Sequence, residues 1–175
     1  MNKILKEETL YTGRVCRFTH NEVEFEDGTT GYRDILHLPG AVGILAIDNN
    51  NKFLFVKQHR HAISDTILEI PAGMIELSED KGVTALRELQ EETGYHANHL
   101  EYLCEFYTSP GVVNEKIYLY FAKDLEYVHQ DLDEDEYLSV QTFTEEEVEE
   151  MIRTNVIKDA KTMIAFAHYK QFIKK

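Results

Sequence analysis

The chain contains few of the residues that hold a protein together covalently or anchor it in a membrane. Among its 175 residues there are two cysteines, Cys16 and Cys104, which are too few for a disulfide framework and lack the spacing of metal ligands. We therefore expect both thiols to be reduced and buried or half-buried. The longest apolar run, residues 41–47, is too short to span a bilayer and suits a buried strand.

The first residues also lack the apolar core of a secretory signal, because the chain turns acidic by Glu7 and Glu8. Internal repeats and low-complexity segments are absent as well. These features predict a cytoplasmic protein with no membrane partner.

Positive charge is scarce. The chain has 18 Lys and Arg residues against 32 Asp and Glu residues, which gives a net charge of −14. Such a protein repels the phosphate backbone of DNA and RNA, so we expect no nucleic-acid partner. The same field opposes a small phosphorylated substrate, which would have to be received by bound metal ions and a few placed arginines.

The first forty residues have the pattern of short strands and turns. Val23 and Phe25 alternate with glutamates, Asp27-Gly28 indicates a hairpin, and a strand over Thr30–Leu38 runs into Pro39-Gly40. This module, residues 1–40, is too small to hold a core by itself. It must therefore pack on the rest of the chain or on a second copy.

Residues 41–175 predict mixed strands followed by helices. The predicted strands are Ala41–Ile47, Phe53–Gln58, Leu68–Ile70, Tyr102–Tyr107, Lys116–Ala122 and Tyr137–Phe143. The predicted helices are Lys81–Thr93 with an apolar stripe of Val83, Leu86 and Leu89, one from a capping box at Thr144 and Glu147 to about Arg153, and one capped by Asp159. Strands and helices do not alternate regularly, so the fold class is α+β.

Three acidic side chains share one face of the helix expected over Lys81–Thr93. Glu88, Glu91 and Glu92 stand at i, i+3 and i+4. Carboxylates this close repel one another, and a hard cation such as Mg²⁺ or Mn²⁺ would turn the repulsion into coordination. A solvated acidic face is the usual alternative for a run of charge. The adjacent Arg87 and the glycines that bracket the segment argue against that alternative.

The whole segment resembles the box motif of the Nudix hydrolases, which cleave nucleoside diphosphates linked to another moiety. The matching positions are Gly73, Glu79, Arg87, Glu88, Leu89, Glu91, Glu92 and Gly94. One position departs from the family, where an aliphatic residue usually follows the last glycine and Tyr95 stands here. The resemblance implies the Nudix fold, a mixed β-sheet sandwiched between α-helices, over residues 41–175, with the N-terminal module as a small antiparallel sheet. It also implies a homodimer in which the N-terminal strands pack on the partner.

The resemblance further implies a metal site. Glu88, Glu91 and Glu92, which are also the catalytic carboxylates, and the main-chain carbonyl of Ala72 would bind Mg²⁺, with Mn²⁺ as the other candidate. Glu79 would support or bridge these ligands.

Features outside the box resemble the ADP-ribose pyrophosphatases. The loop Ser109-Pro110-Gly111 carries a proline sixteen residues after Gly94, the run Val56–Arg60 ends in an arginine, and Glu69–Met74 leads into the box. The resemblance implies that Arg60, the three loop residues and Met74 contact the substrate. An ordinary exposed arginine is the alternative for Arg60.

Three more substrate contacts follow from the same resemblance. Arg33 and Asp34 would reach the terminal ribose or phosphate, although a salt pair on an edge strand explains them equally well. Glu115 would accept a hydrogen bond from a ribose hydroxyl.

The catalytic base is expected in the acidic segment Asp131–Glu136, because this subfamily takes its base from a loop at this place. The alignment of the strand that follows nominates Glu134 as the base and Glu136 as a further metal ligand. For any one of these acids, a solvated turn is the alternative.

Taken together, these residues predict metal-dependent hydrolysis of ADP-ribose, a small nucleotide-sugar, to AMP and ribose 5-phosphate. A pyrophosphatase that prefers another nucleoside-diphosphate sugar, such as ADP-glucose or GDP-mannose, is the first alternative. A module that binds a nucleotide without hydrolysing it is the second, and the complete set of box acids argues against it.

Overall fold

The computed structural model of the protein describes residues 3–132 and 137–174. Its contacts divide the chain into two units, one formed by residues 1–40 and 106–117 and the other by residues 41–105 and 118–175. The expected boundary after residue 40 stays a prediction, since a later segment of the chain belongs to the first unit.

The first unit contains a three-stranded antiparallel sheet with the order β1-β2-β3. Its strands are β1 Lys3–Thr12, β2 Arg17–Glu24 and β3 Thr30–His37. Glu24 pairs with Thr30 across the turn, where Gly28 has a φ of +81°, so the hairpin predicted at Asp27-Gly28 is confirmed. Strand β1 is exposed along its whole length.

A larger sheet has seven strands. They are β4 Ala41–Ile47, β5 Phe53–Arg60, β6 Asp65–Glu69, β7 Ala72–Met74, β8 Tyr95–Tyr107, β9 Lys116–Tyr127 and β10 Leu138–Phe143. Five of them follow the order β10-β5-β4-β9-β8, while β6 pairs with β5 and β7 pairs with β4. The pairing of β7 with β4 fixes the start of the box segment at the middle of the sheet.

Residues 3–132 and 137–174 contain three α-helices, and two of them start at the caps that the sequence indicates. They are α1 Lys81–Thr93, α2 Glu145–Arg153 and α3 Ala160–His168. The Asp80 side chain accepts hydrogen bonds at the start of α1, Thr144 and Glu147 form the expected capping box of α2, and Asp159 caps α3.

Helices α1 and α3 pack on opposite faces of the sheet. On one face, even-numbered residues of β4 form a cluster with α1: Val42, Ile44, Ala46, Ala85 and Leu89. On the other face, a Cβ at Gly43 would lie 3.6 Å from the Lys161 side chain of α3, and the Phe53 ring meets the edge of Phe166 at 5.4 Å. Side chains alternate across a strand, so the sheet lies between the two helices, as expected.

The apolar stripe predicted for α1 is wrong at one position. Val83 is 56% exposed, whereas Leu89 is fully buried and Leu86 is partly buried. The helix turns Thr84 and Ala85 inward instead, because small side chains allow it to approach the sheet closely.

Several strands also differ from the expected bounds: β6 covers Asp65–Glu69 instead of Leu68–Ile70, and β9 continues past Ala122 to Tyr127. Strand β8 begins at Tyr95, directly after the helix ends at Gly94, and not at Tyr102. The sequence did not predict the bounds of the ten-residue strand β1, because its exposed residues do not alternate between apolar and polar positions.

In the described part of the chain, no helix has both the length and the apolar character needed to cross a membrane.

Replacing Gly94 by alanine should destabilise the protein. Gly94 has a φ of +80°, and a Cβ there would lie 2.7 Å from Tyr127 Cε2 and 3.2 Å from the Gln130 backbone nitrogen. We expect the free energy of unfolding in urea to fall by about 1–3 kcal/mol, from the left-handed backbone and the crowding together. The control is Gly111→Ala, where nothing lies within 4 Å, and its effect should stay within about 0.5 kcal/mol. Equal losses in the two variants would contradict this account.

Candidate active site

One arginine organises the acidic residues of the box. The Arg87 guanidinium lies 2.9 Å from Glu88 Oε1, and its Nη1 donates to Glu91 Oε2 at 2.7 Å. Its Nε and Nη2 donate to the two oxygens of Glu79 at 3.0 and 3.1 Å, which is a bidentate pair. The hydrogen bond to Glu79 raises the pKa of the Arg87 guanidinium above its ordinary value. Arg87 therefore pairs with three carboxylates of the box.

Glu79 also ties the loop before α1 to the helix. Besides the two Arg87 contacts, its Oε2 accepts a hydrogen bond from Thr84 Oγ1 at 2.9 Å. The backbone N–H of Glu79 donates to the Glu76 carbonyl at 3.1 Å, which closes the turn. The Glu79 carboxylate thus helps to position Arg87, which in turn pairs with Glu88 and Glu91.

The first glycine of the box leaves room for a carboxylate. A Cβ built on Gly73 would lie 2.0 Å from Glu88 Cδ and 2.1 Å from each of its oxygens. No other residue type fits there while Glu88 keeps this conformation. A side chain at residue 73 would therefore displace the Glu88 carboxylate from this position.

Glu92 is joined to the same backbone segment. Its carboxylate is 2% exposed, and Oε2 accepts a hydrogen bond from the Ala72 N–H at 3.0 Å. Ala72 pairs with Gly43 of β4, so the residue whose carbonyl is an expected metal ligand lies directly beside Glu92.

The donor set suits a hard divalent cation. Three carboxylates and a main-chain carbonyl are oxygen ligands of the kind Mg²⁺ and Mn²⁺ prefer, and the Gly73 cradle leaves Glu88 close to the backbone. Among residues 3–132 and 137–174, no three His, Cys, Asp or Glu side chains already converge as a metal-binding group. Glu88 and Glu91 pair with Arg87, and Glu92 accepts a hydrogen bond from Ala72. A metal ion would therefore have to draw these carboxylates away from their present donors.

Arg60 lies at the end of β5 and is held by a buried acid. Its Nε donates to Glu69 Oε1 at 2.7 Å. Burial lowers the pKa of the Arg60 guanidinium, but the hydrogen bond and charge of Glu69, together with the charges of Glu92 and Asp159, raise it above its ordinary value.

Met74, Gln130 and Asp131 also belong to the second unit. Met74 is exposed, and its carbonyl accepts a hydrogen bond from Arg87 Nη2 at 3.4 Å. Asp131 N–H donates to the Glu91 carbonyl at 3.1 Å, and Gln130 Nε2 donates to the Glu92 carbonyl at 2.6 Å. The acidic segment therefore starts at the C-terminal end of the box helix.

Glu134 and Glu136 lie outside the described residues, so the expected base and the additional metal ligand stay predictions.

Three of the other expected substrate contacts, Arg33, Pro110 and Gly111, line one cavity in the first unit. A cavity of about 430 Å³ is lined by Arg33, Ile35, Pro110, Gly111, Val112, Val113 and Asn114. Ser109 fixes the loop, because its carbonyl accepts from the N–H groups of Val112 and Val113 at 3.0 and 2.8 Å. Leu36 N–H donates to the Val112 carbonyl at 2.8 Å, which joins the loop to β3. The structure thus brings Arg33 and the proline loop together.

Asp34 and Glu115 take different positions. Asp34 Oδ1 lies 2.6 Å from His20 Nδ1 on the neighbouring strand, so its partner in the sheet is His20 and not Arg33. The Arg33 guanidinium instead lies over the Phe25 ring at 4.9 Å. Glu115 is half-buried, and its backbone carbonyl accepts a 3.4 Å hydrogen bond from Thr108 N–H at the other end of the loop.

Sequence reasoning missed the role of Glu69 and its second partner, Lys161 of α3. The two side chains form an ion pair, and Glu69 is only 1% exposed. An acid in the middle of the apolar segment Leu68–Ile70 was the available signal, because a buried carboxylate requires a cationic partner. No feature of the sequence indicates that this partner is Lys161, 92 positions away.

Comparisons with known proteins agree with these features. Residues 37–166 match the model of the NUDIX domain. The chain is 44% identical over 165 residues to a methanol dehydrogenase activator of Bacillus methanolicus, which covers 93% of this chain and 89% of that protein. It is 38% identical over 168 residues to an ADP-ribose pyrophosphatase of Bacillus subtilis (strain 168), which covers 95% and 91%.

A crystal structure of an ADP compounds hydrolase aligns with a TM-score of 0.88 at 22% identity, over 98% of this chain and 94% of that one. At this identity the likeness concerns the fold, and it confirms the expected mixed sheet between helices with a small N-terminal antiparallel sheet.

The Glu79–Arg87 pair should make stability depend on pH. The hydrogen bonds from Arg87 lower the pKa of Glu79 from 4.5 to about 2. Because the folded-state pKa is depressed, the pair stabilises the protein above pH 4.5 and loses its effect as the pH falls towards 2. We expect Glu79→Gln to have a lower Tm than the wild type at neutral pH, with a difference that shrinks over that range.

Calorimetry at a series of pH values measures this difference. Leu77→Ala, in the same loop at a fully exposed side chain, is the control and should follow the wild type at every pH. A Glu79→Gln deficit that stays constant as the pH falls would contradict the assignment.

Proposed function

The chain belongs to the Nudix family, and on that premise we propose that it hydrolyses the pyrophosphate bond of ADP-ribose to give AMP and ribose 5-phosphate. The observation that carries the proposal is the cluster in which Arg87 holds Glu79, Glu88 and Glu91 while Glu92 bonds to Ala72. Similarity to an ADP-ribose pyrophosphatase over 95% of this chain supports the choice of substrate.

The residues that would hold a metal ion are Glu88, Glu91, Glu92, the carbonyl of Ala72 and Glu136. Mg²⁺ is the proposed ion, with Mn²⁺ as the substitute, since all of these ligands are oxygens. When bound, the ion supplies positive charge against the charge that builds up on the phosphoryl oxygens. With a net charge of −14, the protein has few other ways to receive a pyrophosphate.

The protein side chains position the substrate and move one proton. A water oxygen bonds to one phosphorus, and the bond from that phosphorus to the bridging oxygen breaks. Glu134 accepts the proton that the water loses, and the leaving phosphate keeps the electron pair of the broken bond. Gln130 and Asp131 bond to the carbonyls of the box helix, so the segment that carries Glu134 starts beside Glu91.

Substrate contacts are assigned to two groups of residues. Arg60 and Met74 belong to the unit that carries the box, and Arg60 offers a planar set of donors suited to phosphate oxygens. The residues of the first unit assigned to the rest of the substrate are Arg33, Asp34, Ser109, Pro110, Gly111 and Glu115.

Hydrolysis of ADP-ribose by the purified protein with Mg²⁺ should release AMP, and Glu92→Gln should abolish most of this turnover. Glutamine keeps the size of this buried side chain but removes its charge, so kcat should fall about 100-fold or more with Tm nearly unchanged. Glu126→Gln, at an exposed acid of β9, is the control and should keep wild-type kcat.

A substrate panel with ADP-glucose and GDP-mannose separates the alternatives. Turnover of one of these without AMP release from ADP-ribose would replace the proposed substrate. Nucleotide binding without any turnover would instead identify a binding module.

We also propose that the protein is a homodimer formed through the N-terminal sheet. Strand β1 exposes the apolar side chains of Ile4, Leu5, Leu10 and Tyr11, which a partner sheet would cover.

Sedimentation of Leu10→Glu tests the dimer. Burying a leucine contributes about 1.5–3 kcal/mol, so we expect the dimer dissociation constant to rise at least about tenfold. Leu77→Glu places the same charge at a fully exposed leucine outside the N-terminal sheet and should leave the dimer intact. A wild-type protein that sediments as a monomer would contradict the proposal.

A further inference from the structure

Glu69 is a fully buried carboxylate with two cationic partners from different elements. Arg60 Nε, at the end of β5, donates to Oε1 at 2.7 Å, and Lys161 Nζ, in the first turn of α3, donates to Oε2. Lys161 also lies 3.2 Å from Asp159 Oδ1, so two acids and two bases form one chain of ion pairs. A buried charge is tolerated only when it is paired in this way, and removal of one partner leaves the other charge buried and unpaired.

The cluster is braced by the cap of α3. Asp159 Oδ2 accepts from the Thr162 N–H and from Thr162 Oγ1 at 3.0 and 2.5 Å. Thr162 Oγ1 in turn accepts from the Ile70 N–H at 2.9 Å. The peptide that follows Glu69 is therefore fixed to the helix that supplies Lys161, and the Glu69 carboxylate has little freedom to move.

The same segment continues into the box. The Pro71 carbonyl accepts from Ile44 N–H at 2.9 Å, and Ala72 N–H donates to Glu92 Oε2 at 3.0 Å. Successive residues from Glu69 to Ala72 thus contact β5, α3, β4 and α1. Arg60 is consequently held by the segment that also carries the proposed metal ligand Ala72.

The hydrogen bond at Nε determines the plane of the Arg60 guanidinium. A guanidinium has five N–H donors in one plane, and the donor used by Glu69 lies on a single edge. Arg60 also lines a polar cavity of about 250 Å³ together with Gln58, His59, His61 and Tyr137.

We propose that Glu69, clamped between Arg60 and Lys161, is a positioning residue that orients the Arg60 guanidinium towards an anionic group of the substrate in this polar cavity. This inference rests on the proposed function, because it assigns Arg60 to a phosphate of the nucleotide-sugar. Glu69 itself is too deeply buried to touch the substrate.

A double-mutant cycle with Glu69→Gln and Arg60→Ala tests the role. Affinity for ADP-ribose is measured by calorimetry in metal-free buffer, where binding is seen without turnover. We expect Glu69→Gln to weaken binding about tenfold, since an arginine that is free to rotate loses much of a charge-assisted contact. In the Arg60→Ala background the same substitution should change affinity less than about twofold, because its target is gone.

Turnover gives a second readout. With Mg²⁺ present, Glu69→Gln should raise KM by a similar factor and leave kcat within about twofold, because the change affects binding of the substrate and not the box. The matched control is Glu145→Gln, which also removes a carboxylate held by two lysines, Lys170 and Lys174, and should change neither constant. The Tm of each variant establishes that it is folded.

The outcomes separate the two proposals. Wild-type protein that binds ADP-ribose but releases no AMP overturns the proposed function. The double-mutant cycle then still tests the role of Glu69, because it measures binding alone. Unchanged affinity in folded Glu69→Gln, or an equal loss in the Arg60→Ala background, overturns the positioning role. Wild-type protein that binds no ADP-ribose overturns both. If Glu69→Gln does not fold, Lys161→Met loosens the same clamp from its other side, and the same cycle with Arg60→Ala decides.

Discussion

The guanidinium of Arg87 is the fixed positive charge around which the acidic residues of the site are arranged. Glu88 and Glu91 stand one turn apart on a helix of a strongly acidic protein, and they would repel each other without a cation between them. Because Arg87 is half-buried and makes a bidentate pair with Glu79, it keeps its place before any ion arrives. The arginine therefore offsets the repulsion between Glu88 and Glu91 on this face of α1.

The rest of the site depends on how closely the backbone before α1 approaches this helix. Gly73 lets Glu88 lie against the main chain, and Glu92 accepts a hydrogen bond from Ala72. The pairing of β7 with β4 fixes both residues to the central strand of the sheet. The approach of a strand to a helix thus brings the Glu88 and Glu92 side chains of α1 to the backbone of residues 72 and 73.

Local signals accounted for much of the fold. Helix α1 has the expected bounds and ends at the glycine that the sequence indicates, and the strand Ala41–Ile47 also has its expected bounds. These features depend on interactions within a few residues, so they can be predicted from the sequence. The exposed strand β1 was not predicted because it lacks an alternating pattern, and the burial of Thr84 and Ala85 on α1 was not predicted because packing on the sheet decides it.

The same division holds for the site. The sequence by itself determined the acids, the adjacent arginine and the glycines, since their spacing along one helix and one loop already implies proximity. Only the tertiary structure decided that Glu69 lies between Arg60 and Lys161, and that Arg33 lines a cavity with the proline loop. An ion pair between residues 92 positions apart produces no pattern in the sequence from which it could be predicted. Such pairs form because burial removes water from a charged group. Such a group is stable only if another part of the chain places an opposite charge beside it in the fold.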